Sequence, residues 1–144
     1  MNGPIVFITG STDGIGKATA RNLISRGAEV ILHGRNIRKG NRVQKELAEI
    51  TGTTEPDILI ADLSSPDQLR QMAEDIISRY TRLDVLINNV GTYEKRRHLT
   101  SDGVEKTFAV NYLAPYLLTR LLLPLLKKIL PPVLSPSRPA PMKM

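Results

Sequence analysis

Thr9-Gly10-Ser11-Thr12-Asp13-Gly14-Ile15-Gly16 is the segment of this chain best suited to chemistry, and the chemistry it suits is anion binding. Its glycines stand at Gly-x-x-x-Gly-x-Gly spacing, which lets a turn be tight and lets the backbone approach a ligand closely. An apolar run, Ile5-Val6-Phe7-Ile8, comes just before it, and a helical pattern from Ile15 to Arg26 comes just after. A helix N-terminus in that place offers unpaired N–H groups and a positive dipole end, and both suit a diphosphate. Gly16 is expected to allow the helix to pack closely on the strand. A glycine-rich turn with no ligand is the plain alternative, and the strand–turn–helix setting argues against it.

The elements that must hold this turn can be read from periodicity. Ile5–Ile8 is predicted as the first strand, and Gly27 sits where a helix C-terminal glycine belongs. Glu29-Val30-Ile31-Leu32 is predicted as the second strand. Val43, Leu47 and Ile50 keep helical spacing, so Lys39 to Thr51 is predicted as a helix. Asp57–Ile60 is the third strand. Ser65-Pro66-Asp67-Gln68 has the form of a capping box with proline at the first helical position, and Leu69, Met72, Ala73, Ile76, Ile77 and Tyr80 follow at helical spacing. Asp84–Ile87 is the fourth strand. A polar loop from Gly91 to Asp102 leads to a long helical stretch from about Gly103 to Leu130, which Pro115 and Pro124 should kink or interrupt.

Continuous apolar strands alternating with helices over short loops predict βαβ units and a buried parallel sheet. The expected fold is α/β: a Rossmann-like, doubly wound parallel sheet of about four strands in the order 3-2-1-4. Residues 1–130 are expected to form this dinucleotide-binding domain. Residues 131–144 are rich in proline and are expected to be a disordered or polyproline tail, a proline-rich docking motif being the alternative.

Several motifs, in the right order, resemble the short-chain dehydrogenase/reductase family. Thr9-Gly10 through Gly14-Ile15-Gly16 resembles its glycine signature. Asp62-Leu63 after the third strand resembles its adenine-contacting acidic position. Asn88-Asn89-Val90-Gly91 resembles its Asn-Asn-Ala-Gly, with Val90 replacing alanine. Leu99-Thr100-Ser101-Asp102-Gly103, followed by Val110-Asn111-Tyr112-Leu113, resembles the entry to its fourth major helix, and is particularly similar there to the retinol-dehydrogenase-like branch. The resemblance covers residues 4 to about 130. It implies NAD(P)-dependent hydride transfer between a carbonyl and an alcohol, with Asn89, Val90 and Gly91 among the cofactor contacts.

The adenosine ribose of such a cofactor should lie beyond the second strand. An acid there would favour NAD and a base would favour NADP. Gly34-Arg35-Asn36 contains no acid, so NADP(H) is the expected cofactor, held by Arg35 and Asn36, with NAD(H) the lesser possibility. Lys17, Arg38 and Lys39 are candidate helpers, and a solvated Arg35 with no ligand is the plain alternative.

Carbonyl reduction also needs a proton donor beside the carbonyl oxygen. The resemblance implies a tyrosine for this, with a lysine four residues later to lower its pKa, plus a serine and an asparagine. Asn111 matches the asparagine, and Pro115, lacking an N–H, should free its carbonyl and kink the helix there; an asparagine at a kink with no present role is the alternative. Tyr80, Tyr93, Tyr112 and Tyr116 are followed at four residues by Asp84, Arg97, Tyr116 and Arg120, so no Tyr-x-x-x-Lys exists. The chain is therefore expected to be C-terminally truncated relative to the family and inactive alone. Three functions stay open: an oxidoreductase completed by a longer product or partner chain, a non-catalytic dinucleotide-binding or interaction protein, and an inert product. The substrate is not legible.

Composition excludes little beyond this. With no cysteine there are no disulfides or thiolate metal sites, and His33 and His98 are too isolated to predict a metal site. The net charge of +6 is spread along the chain with few aromatics, which fits solvated helix faces better than nucleic acid or an anionic membrane. The start of the chain reads as a strand and not a leader, and Tyr116–Leu130 is short for a membrane span, so a cytoplasmic location is expected. Loss of a fifth strand would leave the fourth exposed, and the leucine-rich surface of the 104–130 helix is expected to support homo-oligomers.

Overall fold

The computed structural model describes residues 3–90, 99, 100, 103 and 105–127. Gly91, His98, Ser101, Asp102 and the 131–144 tail lie outside them. The described chain forms four parallel strands, β1 (Ile5–Ile8), β2 (Glu29–Gly34), β3 (Asp57–Ile60) and β4 (Val85–Ile87), in the order β3-β2-β1-β4. This is the expected order. Its switch point lies where β1 pairs with β2 on one side and β4 on the other, and ligands in open α/β sheets bind outside the strand ends at such a point.

The helices α1 (Gly14–Ser25), α2 (Ile37–Thr51) and α3 (Pro66–Arg79) connect the strands. The alternating side chains of β1 and β2 divide the core in two. Val6, Ile8, Val30 and Leu32 pack with Ala20, Ile24, Val43 and Leu47 from α1 and α2. Phe7 and Ile31 face the other layer, with Leu69, Met72 and Ile76 of α3 and Leu118, Leu122 and Leu125 of α5 (Ala114–Lys127). Each of these side chains larger than alanine contributes roughly 1.5–3 kcal/mol by leaving water. Continuous burial holds for β1 but not for the edge strands, where Ile60 and Val85 are exposed.

Three local expectations change in detail. β2 runs to Gly34, two residues past the predicted end, because His33 and Gly34 pair with Leu59 and Ile60 of β3. The capping box at Ser65 is half formed. Ser65 Oγ accepts the Gln68 N–H at 3.3 Å, but Gln68 Oε1 accepts from the Asp62 N–H at 2.8 Å, so the return bond ties the β3–α3 turn instead. The predicted long helix is a short α4 (Lys106–Phe108), a π-helical segment (Ala109–Leu113) and α5. Pro115 lacks the N–H an α-helix needs at that point, and the Ala114 N–H reaches Ala109 O five residues back. α5 runs through Pro124 without ending.

Counted from Lys106 to Leu126, this stretch is long and apolar enough to cross a membrane by length and composition. The shortness inferred for Tyr116–Leu130 therefore does not exclude a span. Its Leu118, Leu122 and Leu125 are buried against α3, as in a core helix.

Candidate functional site

The C-terminal ends of all four strands open into a cleft of about 480 Å³. Gly10, Thr12 and Asp13 line it from the β1–α1 turn, and Arg35, Asn36 and Lys39 from the β2–α2 turn. Asp62 and Leu63 follow β3, Asn89 and Val90 follow β4, and Lys106 and Val110 face in from the helix. Its size falls within the range of small-molecule sites.

The turn is built on its glycines. Gly10 and Gly14 adopt positive φ of 63° and 50°, where a side chain would be strained. A Cβ on Gly16 would stand 2.2 Å from Gly10 O, so α1 meets the turn only because Gly16 has none. A Cβ on Gly10 would meet Val90 Cγ2 at 2.6 Å, and one on Gly34 would meet Thr12 Cγ2 at 2.7 Å. The same closeness that packs the turn leaves its outer face open. Asp13 caps α1 and accepts from the Gly14 N–H, while the helix geometry leaves the amides of Ile15 and Gly16 without intrahelical partners. Ile15 itself is exposed.

Thr9 and Ser11 hold the turn from inside. Thr9 is buried, and its Oγ1 accepts from the N–H groups of Asn89 and Val90 at 3.0 and 3.3 Å, tying β1 to β4. Asn89 returns the bond, its Nδ2 donating to Gly10 O at 3.0 Å. Ser11 Oγ donates to Ile8 O and accepts from the His33 N–H, both at 2.9 Å. The side chains of Thr9 and Ser11 thus face the sheet, and their part in the site is to shape its backbone.

The charged rim lies beyond β2. Arg35 is exposed at the cleft. Lys39 Nζ pairs with Asp13 Oδ2 at 2.6 Å across the opening, and that ammonium holds the Asp13 carboxyl below its ordinary pKa, helped by the Gly14 N–H. Asn36 Oδ1 caps α2 through the Lys39 N–H at 2.9 Å. Lys17 is not brought to the cleft; it pairs with Glu46 of α2 at 2.8 Å. Burial raises the pKa of Asp62, but hydrogen bonds from the Ser64 N–H and Oγ–H, with Arg35 and Lys106 nearby, outweigh it and keep the carboxylate ionised below the usual range. Leu63 is buried and floors the cleft from the core. Asn111 lies in the π-helical segment, beside the cleft-lining Val110. The Tyr116–Arg120 pair does touch, at 3.0 Å, but neither residue lines the cleft.

Sequence reasoning weighed His33, whose ring lies beneath the turn, only as an isolated histidine and Val110 only as part of a motif, and it passed over Lys106. The pattern of β2 marked only a strand, and only the strand order puts its last residues under Gly10.

Residues 4–129 match the short chain dehydrogenase family. The chain belongs to that family. Human retinol dehydrogenase 11 is 40% identical over 131 residues, covering 91% of this chain and 41% of that protein. Human polyprenol dehydrogenase is 39% identical over 124 residues, covering 86% and 38%. The similarity thus includes the retinol-dehydrogenase-like branch, and the chain spans about two fifths of the length of these relatives. Among solved structures, a short-chain dehydrogenase from Shigella flexneri in complex with NADP has a TM-score of 0.74 and 34% identity, over 89% of this chain and 55% of that one. An oxidoreductase from Escherichia coli matches at a TM-score of 0.74 and 35% identity, over 89% and 54%.

Proposed function

We propose that this chain binds NADP(H) in preference to NAD(H), as the cofactor-holding part of a short-chain oxidoreductase, and that it carries out no turnover alone. One observation carries the reading: a glycine turn closed too tightly for any Cβ at Gly16 opens onto a cleft to which the segment following β2 contributes Arg35, Asn36 and Lys39 and no acid of its own. When bound, the nicotinamide would supply or accept a hydride. The chain's own groups supply the rest of the binding. The amides that open α1 would hold the diphosphate. Arg35 would meet the 2′-phosphate, with Lys39 leaving Asp13 to assist. Asp62 would contact the adenine side. The NADP complex of the Shigella flexneri neighbour supports this cofactor class.

No tyrosine of this chain has a lysine four residues later, so the proton donor that the family resemblance implies is missing from these 144 residues. Asn111 would be the one member of the catalytic set present. Hydride transfer would require the other groups from residues outside this sequence. A role as a non-catalytic dinucleotide-binding protein rests on the same absence. The leucine face expected to support self-association lies in the core instead, with Leu118, Leu122 and Leu125 buried; the exposed Phe108, Tyr112, Leu113 and Tyr116 of the same helical stretch support self-association through it.

Arg35→Glu tests the cofactor preference. Calorimetry should show the NADPH-to-NADH affinity ratio falling by about ten- to a hundredfold, the worth of one charge-assisted bond. An unchanged ratio would remove Arg35 from the site.

A further inference from the structure

His33 is almost fully buried near the end of β2, where an apolar residue would fill the core at lower cost. All its polar groups are engaged. Its main-chain N–H and carbonyl bond Ser11, each at 2.9 Å. Its ring Nδ1 accepts the Gly10 N–H at 2.9 Å, and its Nε2 lies 2.9 Å from Ala61 O, just past β3. The two ring partners have fixed polarity. An amide N–H can only donate, so Nδ1 must carry a lone pair; a carbonyl can only accept, so Nε2 must carry the proton.

We propose that His33 is a positioning residue for diphosphate binding: as the neutral Nε2–H tautomer, clamped between Gly10 and Ala61, it aims the glycine turn at its ligand. The proposal rests on the dinucleotide reading above. Gly10 is the point at which the turn can be steered. Its carbonyl accepts from Asn89 Nδ2 and lies against Gly16, and its Cα lies against Val90. With the Gly10 N–H drawn inward to His33 and the Ser11 N–H to the His33 carbonyl, neither amide faces the cleft, and ligand contact passes to the amides that follow. A second ring proton would have to sit on Nδ1, opposite the Gly10 N–H. Burial opposes that charge most; the Ala61 bond favours it, Arg35 opposes it, Asp62 favours it, and burial prevails. Asp13, Lys39 and Lys106 are the other charged groups around the same cleft.

The ring's two bonds can be separated by substitution. His33→Asn places an acceptor near the Nδ1 position and keeps the Gly10 bond. His33→Gln reaches Ala61 and loses Gly10. His33→Phe fills the space and loses both. With the full 144-residue chain and NADPH at pH 7.5, His33→Phe and His33→Gln should each bind about tenfold more weakly, the cost of one buried amide left unpaired, and His33→Asn should recover most of the affinity. A contribution to stability alone would not rank asparagine above glutamine. Long-range ¹⁵N–¹H correlation on the wild type, which needs no variant to fold, should show His33 protonated at Nε2 only. An Nδ1–H tautomer overturns the proposal, as do variants that all bind like a wild type that binds. A folded wild type that binds no dinucleotide overturns the cofactor reading and this role together.

Discussion

Gly16 and Gly14 belong to one turn for different reasons. At Gly16 the obstacle is contact: a Cβ would stand 2.2 Å from the backbone oxygen of Gly10. Gly16→Ala should therefore displace the turn, cost about 1–3 kcal/mol by overpacking and abolish measurable NADPH binding. At Gly14 nothing lies within 4 Å of the added atom, and only the φ of +50° resists. Gly14→Ala should cost about 1–2 kcal/mol of backbone strain and leave the packing of α1 on β1 intact. Urea denaturation with a dinucleotide titration on each variant separates the two effects. The glycines, Arg35 and Asp62 were legible in the sequence because each follows a strand within a few residues, and the strand announces itself by its apolar run. Lys39 was legible as a helper of Arg35, but the role of His33 and the pairing of Lys39 with Asp13 were not. Their partners, Gly10 and Asp13, lie 23 and 26 residues away and become neighbours only once β2 pairs with β1.

Among the elements, α3 and α5 share the larger core. Leu118 and Leu122 of α5 are fully buried in the layer formed by α3 and the sheet. Leu122→Ala should cost about 2–5 kcal/mol and lower the thermal midpoint, with little effect on the far cleft rim at Arg35. Ser65→Ala removes the α3 cap and should cost about 1 kcal/mol in the same melts. The four strands and the first three helices could be read from apolar periodicity because a parallel sheet buries its strands in runs, and their order followed from the βαβ connections. The π-helical segment could be anticipated only as an interruption at Pro115. Proline removes a donor, but the sequence does not say whether the chain breaks, kinks or shifts its bonding by one residue. Here it shifts, and the helix goes on to bury its leucines.

For the molecule as a whole, acid should weaken the fold. Burial holds His33 below its ordinary pKa of about 6.5, so the unfolded chain takes up that proton first. The contribution is complete above about 6.5 and is lost as pH falls from there through the lowered native value. Urea midpoints taken from pH 7.5 to 5.5 should decline in the wild type and decline less in His33→Asn. The exposed Phe108, Tyr112, Leu113 and Tyr116 lead to a second expectation, self-association that Tyr112→Glu reduces, measured by light scattering. A monomer at every concentration would remove it. The central claim is that the backbone opening α1 grips a dinucleotide diphosphate, and calorimetry on the folded wild type with NADPH and NADH tests it most directly. One site per chain, tighter for NADPH, is the predicted result, and no heat of binding with either cofactor would contradict it.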